Sequence, residues 1–162
     1  MRILGIDPGS RITGYGVISV RGHEIGFVAC GTIRTGADPD FSRRLLTIFR
    51  DLCEVIVTHR PVVAAVEDIF MSRNPRSALK LGHARGAAVV AALSHGLSVV
   101  DYTPRRVKQS VAGYGQAEKS QVQSMVRVLL DLDSTPSEDA ADALAVAICH
   151  AHHDACNSRL QG

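Results

Sequence analysis

The chain has 162 residues, of which 46% are hydrophobic, and a formal net charge of +2 at neutral pH. This length and composition suit one compact domain with a substantial apolar core. The longest apolar runs, residues 87–93 and 143–149, are too short to cross a bilayer, and no signal peptide precedes the first predicted strand. We therefore expect a cytoplasmic protein that does not span a membrane. Its four cysteines form no Cys-x-x-Cys pair and are predicted to be reduced thiols.

The charge is distributed unevenly along the chain. Residues 71–130 contain nine Lys or Arg residues and only two acids, so that stretch is strongly basic while the remainder is acidic. A metal-dependent enzyme acting on a polyanion needs this division, because cationic side chains hold phosphates and carboxylates hold the metal. A solvated surface with uneven charge is the alternative explanation.

The N-terminal half predicts a three-stranded meander, an amphipathic helix and a buried strand. The helix has apolar residues at Leu45, Phe49, Leu52 and Ile56, which is helical spacing, and it ends before Pro61. The last strand of this half is apolar throughout, as strands covered on both faces are. The predicted bounds are residues 3–8, 14–20 and 25–34 for the meander, 41–60 for the helix and 62–67 for the buried strand.

The C-terminal half predicts one more strand and four helices. Asn74 and Thr103 each precede a proline and fit helix N-caps, and Ser137 fits the N-cap of the last helix. The predicted helices cover residues 74–95, 103–111, 118–130 and 137 to about 153, and the strand covers residues 97–102. These elements predict an α/β sandwich in which one mixed sheet has helices on both faces.

Four acidic residues stand out. Asp7 and Glu67 each end an apolar strand, and strand ends in such sheets collect ligands. Asp139 and Asp142 share one face of the last helix, and the alanines around them make this helix slim enough to approach the sheet closely. Acids in a first helical turn are also favoured by the helix dipole alone, so this pair has a purely structural alternative.

These four carboxylates predict a metal site if the fold brings them together. An ionised carboxylate removed from water must be paired, protonated or bound to a cation. Two carboxylates about 4 Å apart repel each other by about 4 kcal/mol at an effective dielectric constant near 20. A divalent cation relieves that repulsion, and a site made only of oxygen ligands selects Mg²⁺ or Mn²⁺.

Several short motifs follow one another between residue 1 and about residue 152. They are residues 3–10, 13–16, 77–82, 107–109, 117–122 and 139–145, together with Glu67 ahead of Phe70. In this order they resemble the RuvC family of bacterial Holliday junction resolvases. The resemblance implies an RNase H-like three-layer fold with a five-stranded mixed sheet, comprising residues 1–156, with residues 157–162 as a short tail.

The resemblance also implies a function and a set of site residues. It implies a homodimeric, Mg²⁺-dependent endonuclease that makes paired symmetric nicks in four-way DNA junctions, leaves 3′-hydroxyl and 5′-phosphate ends, and works with the RuvA and RuvB branch-migration proteins. Two metal ions per site would be held by Asp7, Glu67, Asp139 and Asp142. The implied DNA contacts are Phe70, Arg73, Arg76, Lys80, Lys108 and Lys119. For the lysines the alternative is ordinary surface exposure, and for Phe70 it is a place in the core.

Some features fit the family less neatly. Asp68 adds an acid after Glu67, and strand alternation points it the other way unless a loop intervenes. Cys149, His153 and Cys156 would share one helical face, where thiolates and imidazole suit zinc. Three other functions remain open at this point: an actin-like or Hsp70-like ATPase, a related RNA-processing nuclease, and a junction-binding protein without catalysis.

Overall fold

The computed structural model describes residues 1–68 and 74–160, with side chains described as far as residue 156. Its centre is a five-stranded sheet with strand order β3-β2-β1-β4-β5. The first three strands pair antiparallel, while β4 runs parallel to both β1 and β5. The strands are β1 (Arg2–Asp7), β2 (Ile12–Arg21), β3 (Glu24–Arg34), β4 (Val63–Glu67) and β5 (Ser98–Tyr102).

Helices cover both faces of this sheet. The described helices are α1 (Phe41–His59), α2 (Pro75–Ser94), α3 (Pro104–Ala112), α4 (Lys119–Leu129) and α5 (Glu138–Leu160). One core, which includes Leu4, Ile6 and Val66, packs against α1 and α2. A second core, which includes Ile3 and Ala65, packs against α3, α4 and α5. Alternate residues of each central strand therefore point into different cores, and the predicted mixed sheet with two helical layers is confirmed.

The predicted caps set the starts of two helices. The Asn74 side chain accepts hydrogen bonds from the backbone N–H groups of Arg76 and Ser77, and Pro75 occupies the first turn of α2. Thr103 caps α3 in the same way through the N–H of Arg106. Both side chains accept from donors that a helix leaves without intrahelical partners.

Helix α5 packs unusually close to the sheet because the strands below it carry glycine. A Cβ added to Gly5 would lie 2.0 Å from the backbone oxygen of Ala143, and one added to Gly14 would lie 2.0 Å from that of Asp139. Gly16, which faces Gly5 across the β1–β2 pair, would meet the Leu144 side chain at 2.7 Å. Glycines on two strands and alanines on the helix therefore bring the two backbones together.

The predicted end of α5 is wrong. The sequence indicated an end near His153, whereas the helix continues to Leu160. The division into a domain of residues 1–156 and a short tail of residues 157–162 stays a prediction. No glycine or proline interrupts residues 138–160, so nothing in the sequence stops the helix where the polar residues begin. The other predicted elements occur in the predicted order, with ends that differ by one or two residues. None of the described helices has the length and hydropathy needed to span a membrane.

Candidate functional site

Asp7 and Glu67 lie side by side at one edge of the sheet. Ile6 pairs with Val66 in the parallel register of β1 and β4, so the next residue on each strand emerges at the same end. Strand alternation directs both carboxyl groups to the face that α5 covers, where they are hydrogen-bonded to each other. The predicted juxtaposition of these two acids is confirmed.

Helix α5 brings the other two acids to the same edge. Asp139 and Asp142 lie in its first two turns, and the contact between Gly14 and the Asp139 backbone sets that end of the helix against β2. Asp142 lines the pocket described next, and both aspartates lie near enough to act electrostatically on Asp7. The fold therefore brings the four predicted acids to one edge of the sheet, and three of them, Asp7, Glu67 and Asp142, line the same pocket.

An open pocket of about 240 Å³ lies among these elements. It combines three carboxylates with two lysines and a floor of small or apolar side chains. Its lining residues are Asp7, Glu67, Pro104, Val107, Lys108, Lys119, Val122, Asp142 and Ala145. Carboxylates and ammonium groups that line the same pocket suit a phosphate group bound beside a metal ion.

The acids in this pocket hold protons unusually tightly. Burial, reinforced by the charge of Glu67 and the hydrogen bond to it, raises the pKa of Asp7 to about 8. Burial also raises the pKa of Glu67 and that of Asp142, although nearby lysines act in the opposite direction. The cause is the cost of placing several negative charges in one poorly hydrated space, a cost that a bound cation reduces.

Lys119 compensates part of this negative charge. Its Nζ atom lies 2.5 Å from Oε1 of Glu138 and 3.3 Å from Oδ2 of Asp142. The hydrogen bond to Glu138 is the main cause of a raised pKa at Lys119, and the same contact lowers the pKa of the exposed Glu138 carboxyl. The ammonium group of Lys119 therefore pairs with Asp142, one of the acids expected to bind metal.

The donor set fits Mg²⁺, but two of the carboxyl groups lie against each other and a third lies against a lysine. In residues 1–68 and 74–156, no three His, Cys, Asp or Glu side chains converge as ligands of one ion. Asp7 faces Glu67, while Asp142 faces Lys119. Metal binding at these oxygens therefore requires the carboxyl groups to ionise and the Lys119 ammonium group to move away from Asp142.

The zinc alternative finds no support in the described residues. Cys149 is buried and its thiol donates to the backbone oxygen of Arg106 at 3.8 Å, whereas Cys156 is exposed. With His153 they form no metal-binding group. All four cysteines are free thiols, as predicted.

The predicted DNA-contacting residues fall into three groups. Lys108 and Lys119 line the pocket. Arg76 and Lys80 are exposed near the start of α2, and the Lys80 ammonium lies 5.8 Å from the centre of the Phe41 ring. Phe70 and Arg73 lie outside the described residues.

Asp68 lies apart from the acids of the pocket. Its side chain is exposed and does not line the pocket, whereas Glu67 does. Its backbone N–H donates to the carbonyl oxygen of Tyr102, which continues the β4–β5 pairing beyond Glu67. Strand alternation therefore separates the two acids, as the sequence indicated.

Sequence reasoning missed the structural residues around these acids. The glycines at positions 5, 14 and 16 could have been found from the sequence, because a residue without a side chain at alternate positions of paired strands indicates that another element packs closely there. The contact between Lys119 and Glu138 leaves no signal in the sequence, because it depends on how α4 packs beside α5. Pro104 and Val122 of the pocket wall are ordinary core or cap residues by sequence.

The raised pKa of Asp7 predicts how stability depends on pH in the absence of metal. The unfolded chain releases this proton near pH 4, while the folded protein keeps it up to about pH 8. The stabilisation is therefore complete below pH 4 and is lost as the pH rises through this window. In EDTA, we expect the melting temperature of wild-type protein, relative to that of Asp7→Asn, to fall by about 3 °C or more between pH 5 and pH 8. Parallel melting curves for the two proteins across that range would contradict this.

Comparisons with known proteins agree with this geometry. The family model described as crossover junction endodeoxyribonuclease RuvC matches residues 3–150. The protein of that name from Geobacter sp. (strain M21) is 56% identical, over 100% of this chain and 99% of its own length. The protein of the same name from Legionella pneumophila (strain Lens) is 55% identical, over 93% of this chain and 86% of its own length.

The fold leads to the same family. The structure of T. thermophilus RuvC in complex with a Holliday junction substrate superposes with a TM-score of 0.91 and 37% identity. The superposition covers 98% of this chain and 97% of the T. thermophilus chain. Sequence similarity over nearly the whole length, the shared fold and the acids gathered at one sheet edge agree. The chain belongs to the RuvC family of crossover junction endodeoxyribonucleases.

Proposed function

We propose that this protein resolves four-way DNA junctions in homologous recombination and DNA repair. It would cut two opposing strands at symmetric positions by hydrolysing phosphodiester bonds, leaving 3′-hydroxyl and 5′-phosphate ends. The observation that carries this proposal is the pocket in which Asp7, Glu67 and Asp142 face two lysines. The T. thermophilus relative of the same fold has been seen with a Holliday junction substrate, which supports the choice of DNA structure.

The proposed cofactor is Mg²⁺, with two ions per site and Mn²⁺ able to replace it. Asp7, Glu67, Asp139 and Asp142 would hold the ions, and the support is their all-oxygen chemistry together with the raised pKa of three of them. A pair of such ions activates the attacking water and stabilises the leaving oxygen of a phosphodiester. No side chain of the pocket is needed as a covalent nucleophile.

The two lysines of the pocket would bind DNA rather than metal. Lys108 and Lys119 would hold the scissile phosphate through charge-assisted hydrogen bonds and orient it toward the acids. For Lys119 this requires exchanging its contacts with Glu138 and Asp142 for contacts with DNA. Arg73, Arg76 and Lys80 would hold more distant phosphates, and Phe70 would stack on an unpaired base at the junction centre.

The direct test uses a synthetic mobile four-way junction. Purified protein with Mg²⁺ is expected to convert it into nicked duplexes that a ligase seals without further processing. Omitting the metal should stop cleavage, and a linear duplex of the same sequence should remain uncut. Cleavage of structured RNA in preference to the junction would instead favour an RNA-processing nuclease.

We also propose a two-fold homodimer, because paired cuts need two sites and one chain supplies a single set of four acids. Helix α2 offers a surface for it. Leu79, Val90 and Leu93 are exposed by 55% or more, and a Cβ added to Gly82 or Gly86 would meet nothing within 4 Å. These residues form one stripe at helical spacing, called here the α2 stripe, which with the neighbouring Ala78 would contact the same stripe of a second copy.

Replacing Gly82 by leucine is expected to weaken this dimer. The larger side chain would hold the two α2 helices apart, so sedimentation should show more monomer and paired nicking should become uncoupled or disappear. Ser124→Leu is the control, since it places the same leucine side chain at an exposed position of α4 on the other face of the sheet. A monomer that still cuts both strands symmetrically would refute the arrangement.

The remaining assignments follow the family. We propose that the protein acts in the cytoplasm and receives junctions from the RuvA and RuvB branch-migration complex. Cleavage of a junction bound by both proteins, compared with free junction, tests this partnership. We expect the position of the cuts to change as the branch point moves.

A further inference from the structure

A buried hydrogen bond joins the edge strand β5 to helix α5. The hydroxyl group of Tyr102 lies 2.8 Å from Nδ1 of His150, and Tyr102 is only 2% exposed. The Tyr102 ring also makes edge contacts with the rings of His150 and His153, with centroids 5.8 Å and 6.0 Å apart. The Arg106 guanidinium lies 5.6 Å from the ring centre. Tyr102 is therefore held on several sides.

This hydrogen bond belongs to the structure behind the pocket rather than to its lining. In the β4–β5 pairing Tyr102 lies directly opposite Glu67, and its carbonyl oxygen accepts from the N–H of Asp68 at 2.8 Å. The residues that follow Tyr102 are the cap Thr103 and then Pro104, which lines the pocket. One residue thus connects the end of the strand that carries Glu67 with the start of the helix that carries Lys108.

His150 occupies the same helix as the aspartates. It lies about two turns beyond Asp142 on α5, where it is 9% exposed. Burial lowers the pKa of His150 and raises the pKa of Tyr102 to about 12, so both groups are uncharged at neutral pH. A neutral hydrogen bond in a dry environment has few competing partners and keeps one geometry.

We propose that the hydrogen bond between Tyr102 and His150 is a positioning link that sets the Glu67 and Lys108 side of the pocket against the Asp142 side. Neither residue touches substrate in this role. The inference rests on the proposed function, because it takes the acids of the pocket as the catalytic groups. Small displacements between reacting groups cost much rate, so a link of this kind acts on the cleavage step more than on junction binding.

Tyr102→Phe tests the link by removing one oxygen atom and keeping the ring. We expect the single-turnover cleavage rate of a pre-bound junction to fall about tenfold, while the junction dissociation constant stays within about twofold. The measurement is made well below the melting temperature of each variant. His150→Asn retains a side-chain partner for the Tyr102 hydroxyl and should keep more of the rate than His150→Leu.

Ser110→Ala is the matched control. The Ser110 hydroxyl lies 3.1 Å from Nδ1 of His152 and so is also bonded to a histidine of α5, but from α3 and at a residue that does not line the pocket. We expect Ser110→Ala to cleave at the wild-type rate even if its melting temperature falls as much as that of Tyr102→Phe. Loss of rate in proportion to loss of melting temperature across these variants would show a merely structural role and overturn the proposal.

These outcomes distinguish a failure of the positioning link from a failure of the proposed catalytic site. Wild-type cleavage by Tyr102→Phe overturns the positioning link alone, provided that Asp7→Asn is inactive. If Asp7→Asn cleaves normally, the site assignment fails first, and the link fails with it. If Tyr102→Phe does not fold, the comparison of His150→Asn with His150→Leu decides, and equal rates for these two variants overturn the link.

Discussion

Asp7→Asn is expected to abolish junction cleavage while junction binding persists. The substitution removes a carboxyl group that can ionise and bind a metal ion, and the lysines that line the pocket remain in place. A rate loss of about a thousandfold or more corresponds to about 4 kcal/mol of lost transition-state stabilisation, a size that electrostatic groups in active sites reach. Single-turnover cleavage and gel-shift titration of the same junction measure the two effects.

Asp68→Asn is the control for that experiment. It makes the same change from aspartate to asparagine at the residue next to Glu67, but on an exposed side chain that does not line the pocket. We expect cleavage close to the wild-type rate. A strong loss with Asp68→Asn would mean that this acid binds the metal, and normal cleavage by Asp7→Asn in Mg²⁺ would refute the site assignment itself.

Gly5→Ala is expected to cause the largest loss of stability among the substitutions considered. The new Cβ would lie 2.0 Å from the backbone oxygen of Ala143 and 2.8 Å from the backbone nitrogen of Ala147. Backbone atoms of a packed helix cannot rotate away, so α5 must move as a whole. Overpacking of a core typically costs 1–3 kcal/mol, and we expect a loss of about 3 kcal/mol or more here, measured by urea unfolding.

Gly26→Ala provides the comparison within the same sheet. A Cβ at position 26 would approach only the Ser19 hydroxyl, at 3.0 Å, and that side chain is able to rotate. We expect its free energy of unfolding to change by less than about 1 kcal/mol, as for most substitutions away from a packed core. Equal losses for Gly5→Ala and Gly26→Ala would contradict the close approach of α5.

The sequence was sufficient to predict the acids and the sheet edge on which they meet. Asp7 and Glu67 each end an apolar strand, and parallel strands bring their carboxyl ends to one edge. Asp139 and Asp142 required only helical spacing and a helix thin enough to approach the sheet. These inferences use local periodicity, which a single sequence records well.

The contacts that organise the site are long-range, and local patterns do not record them. Tyr102 and His150 are 48 positions apart, and each alone is an unremarkable residue at the end of a strand or in a helix. Lys119 was predicted to contact DNA, but its pairing with Glu138 and Asp142 depends on how α4 lies beside α5. The end of α5 is not marked by a local signal either, since residues 138–160 contain neither glycine nor proline.

The close contact of α5 with β1 and β2 also bears on how the protein is made. The first strand contains Asp7 and the last described helix contains Asp139 and Asp142, so the acids come from opposite ends of the polypeptide. During synthesis on the ribosome, β1 and β2 emerge long before α5, the helix that packs against their glycines. A nascent or truncated chain that lacks α5 has only Asp7 and Glu67 of the four acids. The cluster of four acids thus assembles only after α5 has been synthesised and has packed onto the sheet.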